Sequence, residues 1–270
     1  MLVQLRRMVL GNGGGAAIQA CRTPRRRQVA FAHQGGLEIA RRMVEGKIRN
    51  SRTLLRRNSR HRPDKTLASL KELADQATQA TTNATLLGIE GTAARMYFSA
   101  FPTMFREDLR LPGRPFSFEG RNRRPPLDPV NCLLSYAYGL LTKDLTAVAF
   151  SVGFDPYLGF YHRPRFGRPA LALDLAEEFR PLIAESVVLN LINNGEVRPS
   201  HFVVRAGGVA LTQEGRRATL AAFERRLDAQ VHHPTFGYTI TYRRVLDVQA
   251  RVLAAHVLGE VPGYVPFTTR

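Results

Sequence analysis

Only two cysteines, Cys21 and Cys132, occur in the 270 residues. That excludes a disulfide framework and a thiolate zinc cluster. Cys132 sits in the apolar run VNCLLSYAYGLL and reads as a small buried hydrophobe. Long hydrophobic runs are also missing, with nothing near the roughly eighteen residues that span a bilayer. The opening stretch, MLVQLRRMVLGNGGG, places arginines where a secretory signal has its apolar centre. A cytoplasmic chain with no membrane contact is expected. No Walker-type phosphate loop, GxSxG elbow or CxxC pair is present, and GNGGG lies between no clear strand and helix, so nucleotide binding there is discounted. There is no internal repeat.

Acid is scarce. Against 39 Lys+Arg stand 22 Asp+Glu, a formal net charge of +17. Residues 1–65 hold 16 Lys+Arg and 3 acids, while residues 66–270 hold 23 and 19. The pattern is a basic arm on a nearly balanced body, and such an excess calls for a polyanion, nucleic acid first. At 44% hydrophobic residues the body has the means to bury a core.

Residues 1–36 read as irregular. Leu37, Ala40, Val44, Ile48 and Leu55 then recur at helical spacing, with Arg and Lys on the other faces. A second helix is expected over residues 66–82, and a third from about Gly88 through IEGTAARMYFSAF. Residues 105–127 form an Arg/Pro/Gly loop. Asp128-Pro129 supplies an N-cap and a first-turn proline for the helix that follows. After a Gly/Pro/aromatic loop, LALDLAEEFRPLIAESVVLNLIN is helical, with a kink or a break expected at Pro181. HFVVRAGGVALT reads as a β-hairpin around Gly207-Gly208. Helices follow over residues 213–227 and 238–258. The fold class is mainly α with one small hairpin.

Two constellations bear on chemistry. Asp174, Glu177 and Glu178 share a helical face, and His162 stands twelve residues earlier in the aromatic loop. Carboxylates suit Mg²⁺ or Mn²⁺, and a histidine ligand tilts the choice toward Mn²⁺. Periodicity alone reads the same acids as a solvated helix face, with His162 packed on the aromatics. Glu90 by itself is a first-turn acid favoured by the helix dipole, and no spacing links it to His162. The second constellation is basic: Arg121, Arg123 and Arg124, then Arg163, Arg165 and Arg168, then Arg180. Such residues beside a metal hold the phosphates of a nucleic-acid backbone, although any one of them alone is more simply a surface charge. His232-His233 before Pro234 reads as a turn.

Taken together, GIEGTAARMYFSAF, FSFEGRNRRPPLDPVNCLLSYAYGLL and GFDPYLGFYHRPRFGRPALALDLAEEFRP resemble the CRISPR-associated integrase family. The likeness runs over about residues 25–270. It implies a metal-dependent DNA endonuclease/integrase that inserts spacer DNA into a CRISPR array during adaptation. It implies Glu90, His162 and Glu177 as catalytic metal ligands for Mg²⁺ or Mn²⁺, with Asp174 a further acid lining the site. Arg121, Arg123, Arg124, Arg163 and Arg180 are the expected DNA-phosphate contacts. The implied partners are prespacer and repeat DNA, a second copy in a homodimer and a small ferredoxin-like acquisition protein. An iron–sulfur exonuclease is a further candidate partner.

The family carries an N-terminal β-domain that is largely absent here, and GGAAIQACRTPRRRQVAFAH resembles its last strand and linker. Residues 1–34 are therefore expected as a basic arm with a β-domain remnant, and residues 35–270 as the helical catalytic domain. A late start, a truncation or a lost fusion partner each fit. The alternatives are a non-catalytic DNA-binding remnant or a fragment of a fusion protein. A general basic helical protein of ribosome or nucleoid type leaves the three ordered motifs unexplained.

Overall fold

The computed structural model describes residues 17–34, 36–110 and 114–269. The described chain is mainly α, as the periodicities imply. Helix α1 spans Ala17–Gln34, α2 Gly36–Asn58, α3 Asp64–Gln79 and α4 Asn83–Ala100. A short α5, Glu107–Arg110, precedes α6, Pro129–Val152. Then come α7, Ala170–Phe179; α8, Ser186–Asn193; α9, Gln213–Asp228; and α10, Tyr242–Val257. Among the described residues no helix is long and apolar enough to cross a membrane.

Helix α2 is the axis of the fold and packs on α3, α4 and α7. Its spacing set behaves as expected: Ala40, Val44, Ile48 and Leu55 are buried and Leu37 is half-buried. Helix α6 starts where its signals place it. The Asp128 carboxylate accepts the Asn131 N–H at 2.8 Å, Pro129 fills the first turn, and Gly153 at φ +94 ends the helix. Cys132 is buried on this helix, as its apolar neighbours require.

Strands β1, Phe202–Arg205, and β2, Gly208–Leu211, form the expected hairpin, turning through Ala206-Gly207 with both φ values positive. A second antiparallel pair, β3 Gln230–His232 with β4 Thr239–Thr241, was not foreseen. The β-branched run Thr239-Ile240-Thr241 pairs there, and the Thr241 side chain then caps α10, so that helix starts at Tyr242 rather than 238.

Three further boundaries moved for identifiable reasons. Helix α4 begins at Asn83, five residues before Gly88, because Thr82 caps it by accepting the Thr85 N–H. Pro181 falls in a π-helical stretch, Arg180–Glu185, that joins α7 to α8 with no loop between them. A proline without an N–H is accommodated by shifting the hydrogen-bond ladder one residue. Residues 17–34 form a helix rather than the irregular arm and strand expected there. Gln28 fastens it: its amide donates to the carbonyls of Asp155 and Leu158 at 2.8 and 2.7 Å and accepts the Asp155 N–H at 2.8 Å. The part of the expected arm and β-remnant on residues 1–16 lies outside the described residues, as does the side chain of Cys21.

Of the His232-His233 pair, His232 ends strand β3 opposite Thr239, and only His233 lies in the turn. Its backbone exchanges hydrogen bonds of 2.8 Å with Tyr238 O and Gly237 N, and its ring is buried among Phe236, Tyr238 and Phe267. Burial pushes the imidazole down to about 4, against a smaller opposing pull from Gln249. A depressed folded value means that the neutral ring stabilises the fold above pH 6.5 and that this stability is lost as pH falls toward 4. Urea unfolding between pH 7 and 4.5 is therefore expected to show a shallower loss in His233→Phe than in the parent. An identical slope would exclude His233 as the titrating group.

Candidate active site

Three separate stretches meet beside α2. Lys47 lies on the side of α2 that faces α4 and α7, and its side chain is only 11% exposed. Its ammonium contacts Glu90 of α4 closely and Glu177 Oε2 of α7 at 2.6 Å. Burial by itself lowers the affinity of Lys47 for its proton, but the Glu177 and Glu90 carboxylates outweigh it and the group stays charged. Glu90, in the third turn of α4, is thus not the first-turn acid its local sequence suggests.

The loop between α6 and α7 is anchored on one carboxylate. Asp174, with no exposed surface, accepts the N–H groups of Phe160 (2.6 Å), Tyr161 (3.0 Å) and His162 (2.8 Å), and bonds His162 Nδ1 at 2.7 Å. An ionised aspartate is an acceptor only, so Nδ1 carries the proton and Nε2 presents its lone pair. That nitrogen faces Glu177 Oε1 at 3.7 Å. Asp174 is thereby saturated, and it stands behind the histidine ring.

Gly159 makes the approach possible. A Cβ there would lie 2.7 Å from His162 O, 2.8 Å from Asp174 Oδ2 and 2.9 Å from Ala170 Cβ. Gly159→Ala is expected to cost about 1–3 kcal/mol through overpacking and to displace the His162 backbone. Thermal unfolding checks the first effect, and amide exchange at His162 checks the second.

The three acids of α7 do not form a solvated face. All are buried, and each turns to different partners. Glu177 Oε1 lies 3.1 Å from Arg180 Nη2. Burial raises its pKa, but Arg180 and Lys47 beside it hold it down at about 2. Glu178 faces the C-terminal segment, accepting from the Tyr264 hydroxyl and from Phe267 N at 2.8 Å, and burial pushes it up to about 7.

The arginines separate into two groups. Arg121 donates to Asn131 Oδ1 (2.6 Å) and Ser135 Oγ (3.1 Å), with its guanidinium 5.4 Å from the Tyr138 ring centroid. Arg180 also stacks on Tyr138, at 4.9 Å. The Tyr97 and Tyr138 hydroxyls both donate to buried Glu185, at 2.6 and 2.7 Å. Arg121 and Arg180 are therefore held by protein partners. Arg123, Arg124, Arg163 and Arg165 are exposed and Arg168 is half-buried. Arg123 borders the cleft that also touches Lys47 and Glu90.

Among the described residues, no three His, Cys, Asp or Glu side chains are gathered tightly enough to grip a metal ion as they stand. Lys47 accounts for this, since its ammonium lies between Glu90 and Glu177. The donor set nevertheless fits a hard divalent cation: two carboxylates already drawn toward one positive charge, and an imidazole nitrogen with a free lone pair.

The profile of CRISPR associated protein Cas1 matches residues 17–225. A CRISPR-associated exonuclease Cas4/endonuclease Cas1 fusion of Geobacter sulfurreducens is 51% identical over 249 residues, 90% of this chain and 44% of the fusion. A CRISPR-associated endonuclease Cas1 of Thermus thermophilus is 44% identical over 234 residues, 87% of this chain and 67% of that protein. In structure, a chain of a partial Cas6-RT-Cas1–Cas2 complex superposes with a TM-score of 0.81 at 28% identity, covering 96% of this chain and 77% of that one. The chain belongs to the Cas1 family. It spans less than half of the fusion it matches.

Lys47, Gly159 and Gln28 escaped the sequence reading. Lys47 is one of several basic residues along α2, and nothing local marks it as the one turned inward. The Gly-Phe pair before Tyr161-His162 was a usable signal for a close backbone approach. Gln28 carries no local signal at all.

Proposed function

We propose that the chain is the catalytic portion of a divalent-metal-dependent DNA endonuclease/integrase that inserts spacer DNA into a CRISPR array. The observation that carries this reading is the meeting of Glu90, His162 and Glu177, from three distant stretches, around the Lys47 ammonium in a chain of the Cas1 family. The reading assigns Glu90, Glu177 and His162 Nε2 as ligands to Mg²⁺ or Mn²⁺. When bound, such an ion polarises the phosphodiester and favours ionisation of the attacking hydroxyl.

The chain's own groups supply the rest. Asp174 fixes the histidine tautomer and ring. Lys47 and Arg180 keep Glu177 ionised and leave positive charge beside the phosphate. Arg123, Arg124 and Arg163 take the flanking phosphates of the DNA. A prespacer 3′-OH attacks phosphorus at the leader end of the array; the new P–O bond forms as the bond to the array strand's 3′ oxygen breaks, and that oxygen takes the proton given up by the nucleophile.

The same reading assigns a homodimer working in the cytoplasm with a small ferredoxin-like acquisition protein. A Cas1–Cas2 complex among the structural neighbours supports that partner, and relatives fused to the exonuclease Cas4 support an iron–sulfur exonuclease beside this domain.

The test combines the protein, its acquisition partner, a short duplex with 3′-OH ends and a supercoiled array plasmid, with Mn²⁺ or EDTA. Joined product that requires Mn²⁺ is expected. DNA binding that ignores metal, with no joining in any partner combination, would contradict the reading and favour a non-catalytic remnant.

A further inference from the structure

The loop that carries His162 continues into a feature the active-site account does not use. Residues 163–169 read Arg-Pro-Arg-Phe-Gly-Arg-Pro. Arg165 and Arg168 pair as an antiparallel bridge, with the Arg168 N–H donating to Arg165 O at 3.0 Å. Phe166 and Gly167 form the tip, and Gly167 at φ +68 makes the turn. Phe166 is 110% exposed, the most exposed large hydrophobic side chain among the described residues. Pro164 and Pro169 stiffen both legs. Among the described residues no carboxylate pairs with Arg163, Arg165 or Arg168.

Leaving one whole phenyl ring in water forfeits its burial, about 1.5–3 kcal/mol. A rigid aromatic tip framed by three arginines suits one surface above others: a polyanion whose units each present a flat π face. The turn is also tied to the site. His162 is held on Asp174, and four residues reach at most about 14 Å, or about four base steps at 3.4 Å each. The phenyl ring is thus confined to the nucleotides next to a phosphodiester bound at Glu90, His162 and Glu177.

We infer that Phe166 is a base-stacking residue: it packs against an unpaired or unstacked base of the DNA strand beside the reacting phosphate, while Arg163, Arg165 and Arg168 hold that strand's backbone. The inference rests on the DNA-joining reading above and adds to it a subsite for a non-duplex base. Stacking is sequence-tolerant, because every base has a π face. It also spares ordering entropy, since the turn is already formed.

The test uses the full chain and duplexes with single-stranded 3′ ends carrying 2-aminopurine at successive positions. The parent is expected to quench fluorescence at one or two adjacent positions. Phe166→Ala is expected to abolish that quench and to weaken binding about 5- to 100-fold, as loss of one stacked base implies. The slope of affinity against salt should stay unchanged, because no phosphate contact is lost. Phe166→Tyr should restore both readouts, and Phe166→Leu should restore neither. Arg165→Ala should reduce the salt slope.

Unchanged quenching and affinity in Phe166→Ala would overturn the inference while leaving the joining reading intact, provided the parent still joins DNA. So would full restoration by leucine, or a Phe166→Ala defect confined to the oligomeric state, which would make the tip a protein contact. A parent that binds no DNA with or without Mn²⁺ would sink both readings.

Discussion

His162→Ala is expected to join DNA about 10²–10³-fold more slowly than the parent while unfolding within a few degrees of it. The rate effect follows from what the ring does. Its Nδ1–H is committed to Asp174 at 2.7 Å, which leaves Nε2 facing Glu177 at 3.7 Å as a neutral donor beside the carboxylates. Taking one preorganised group from a charge-stabilising site costs rate on this scale. The small stability effect follows from what remains. The His162 side chain is 18% exposed, and Asp174 keeps its three backbone donors from residues 160–162, so the loop stays anchored. One side-chain hydrogen bond is lost, about 1 kcal/mol. Strand-joining rates in Mn²⁺, read beside thermal unfolding in EDTA, separate the two effects. A fall in both together would mean that His162 is structural.

Lys47→Ala produces the opposite pattern. In EDTA it is expected to lose about 3–5 kcal/mol of stability, because removing one member of a buried charge cluster leaves the others uncompensated. Glu90 and Glu177 then face each other across the space the ammonium filled, with Arg180 still paired to Glu177. Two carboxylates without their cation form a better site for a divalent one. Mn²⁺ is therefore expected to stabilise Lys47→Ala more than the parent, where it must act beside a resident positive charge. Binding to the folded state alone yields about 2.7 kcal/mol at one hundred times the dissociation constant. Urea unfolding of both proteins across a Mn²⁺ series checks the prediction. Equal stabilisation of the two would mean that Lys47 and the metal do not share the carboxylates.

Locally encoded features were legible in the sequence. The Asp128-Pro129 helix start, the 202–211 hairpin and the apolar stripe of α2 each depend on neighbours a few residues apart. The features that escaped depend on distant partners. Residues 17–34 hold a proline and a basic knot, and distant partners hold the helix: the 155–158 backbone on Gln28, and Phe160 and His256 on Phe31. The shift of Arg180–Glu185 to π-helical bonding keeps Pro181 inside a continuous helical run, which no propensity foretells.

The site divides in the same way. Like charges at helical spacing suggest a wet surface for Asp174, Glu177 and Glu178, and all three are buried because a loop, two cations and a C-terminal segment each claim one. Resemblance to the family pointed to Glu90, His162 and Glu177 together, whereas the lysine between two of them came only from the fold.

The most direct test of the site is pulsed electron paramagnetic resonance on Mn²⁺ bound to the ¹⁵N-labelled protein. Coupling to one imidazole nitrogen is expected in the parent and should vanish in His162→Ala. Mn²⁺ bound with that coupling intact in His162→Ala, or bound by the parent with no nitrogen coupling, would contradict the assignment of Glu90, His162 and Glu177 as the metal site.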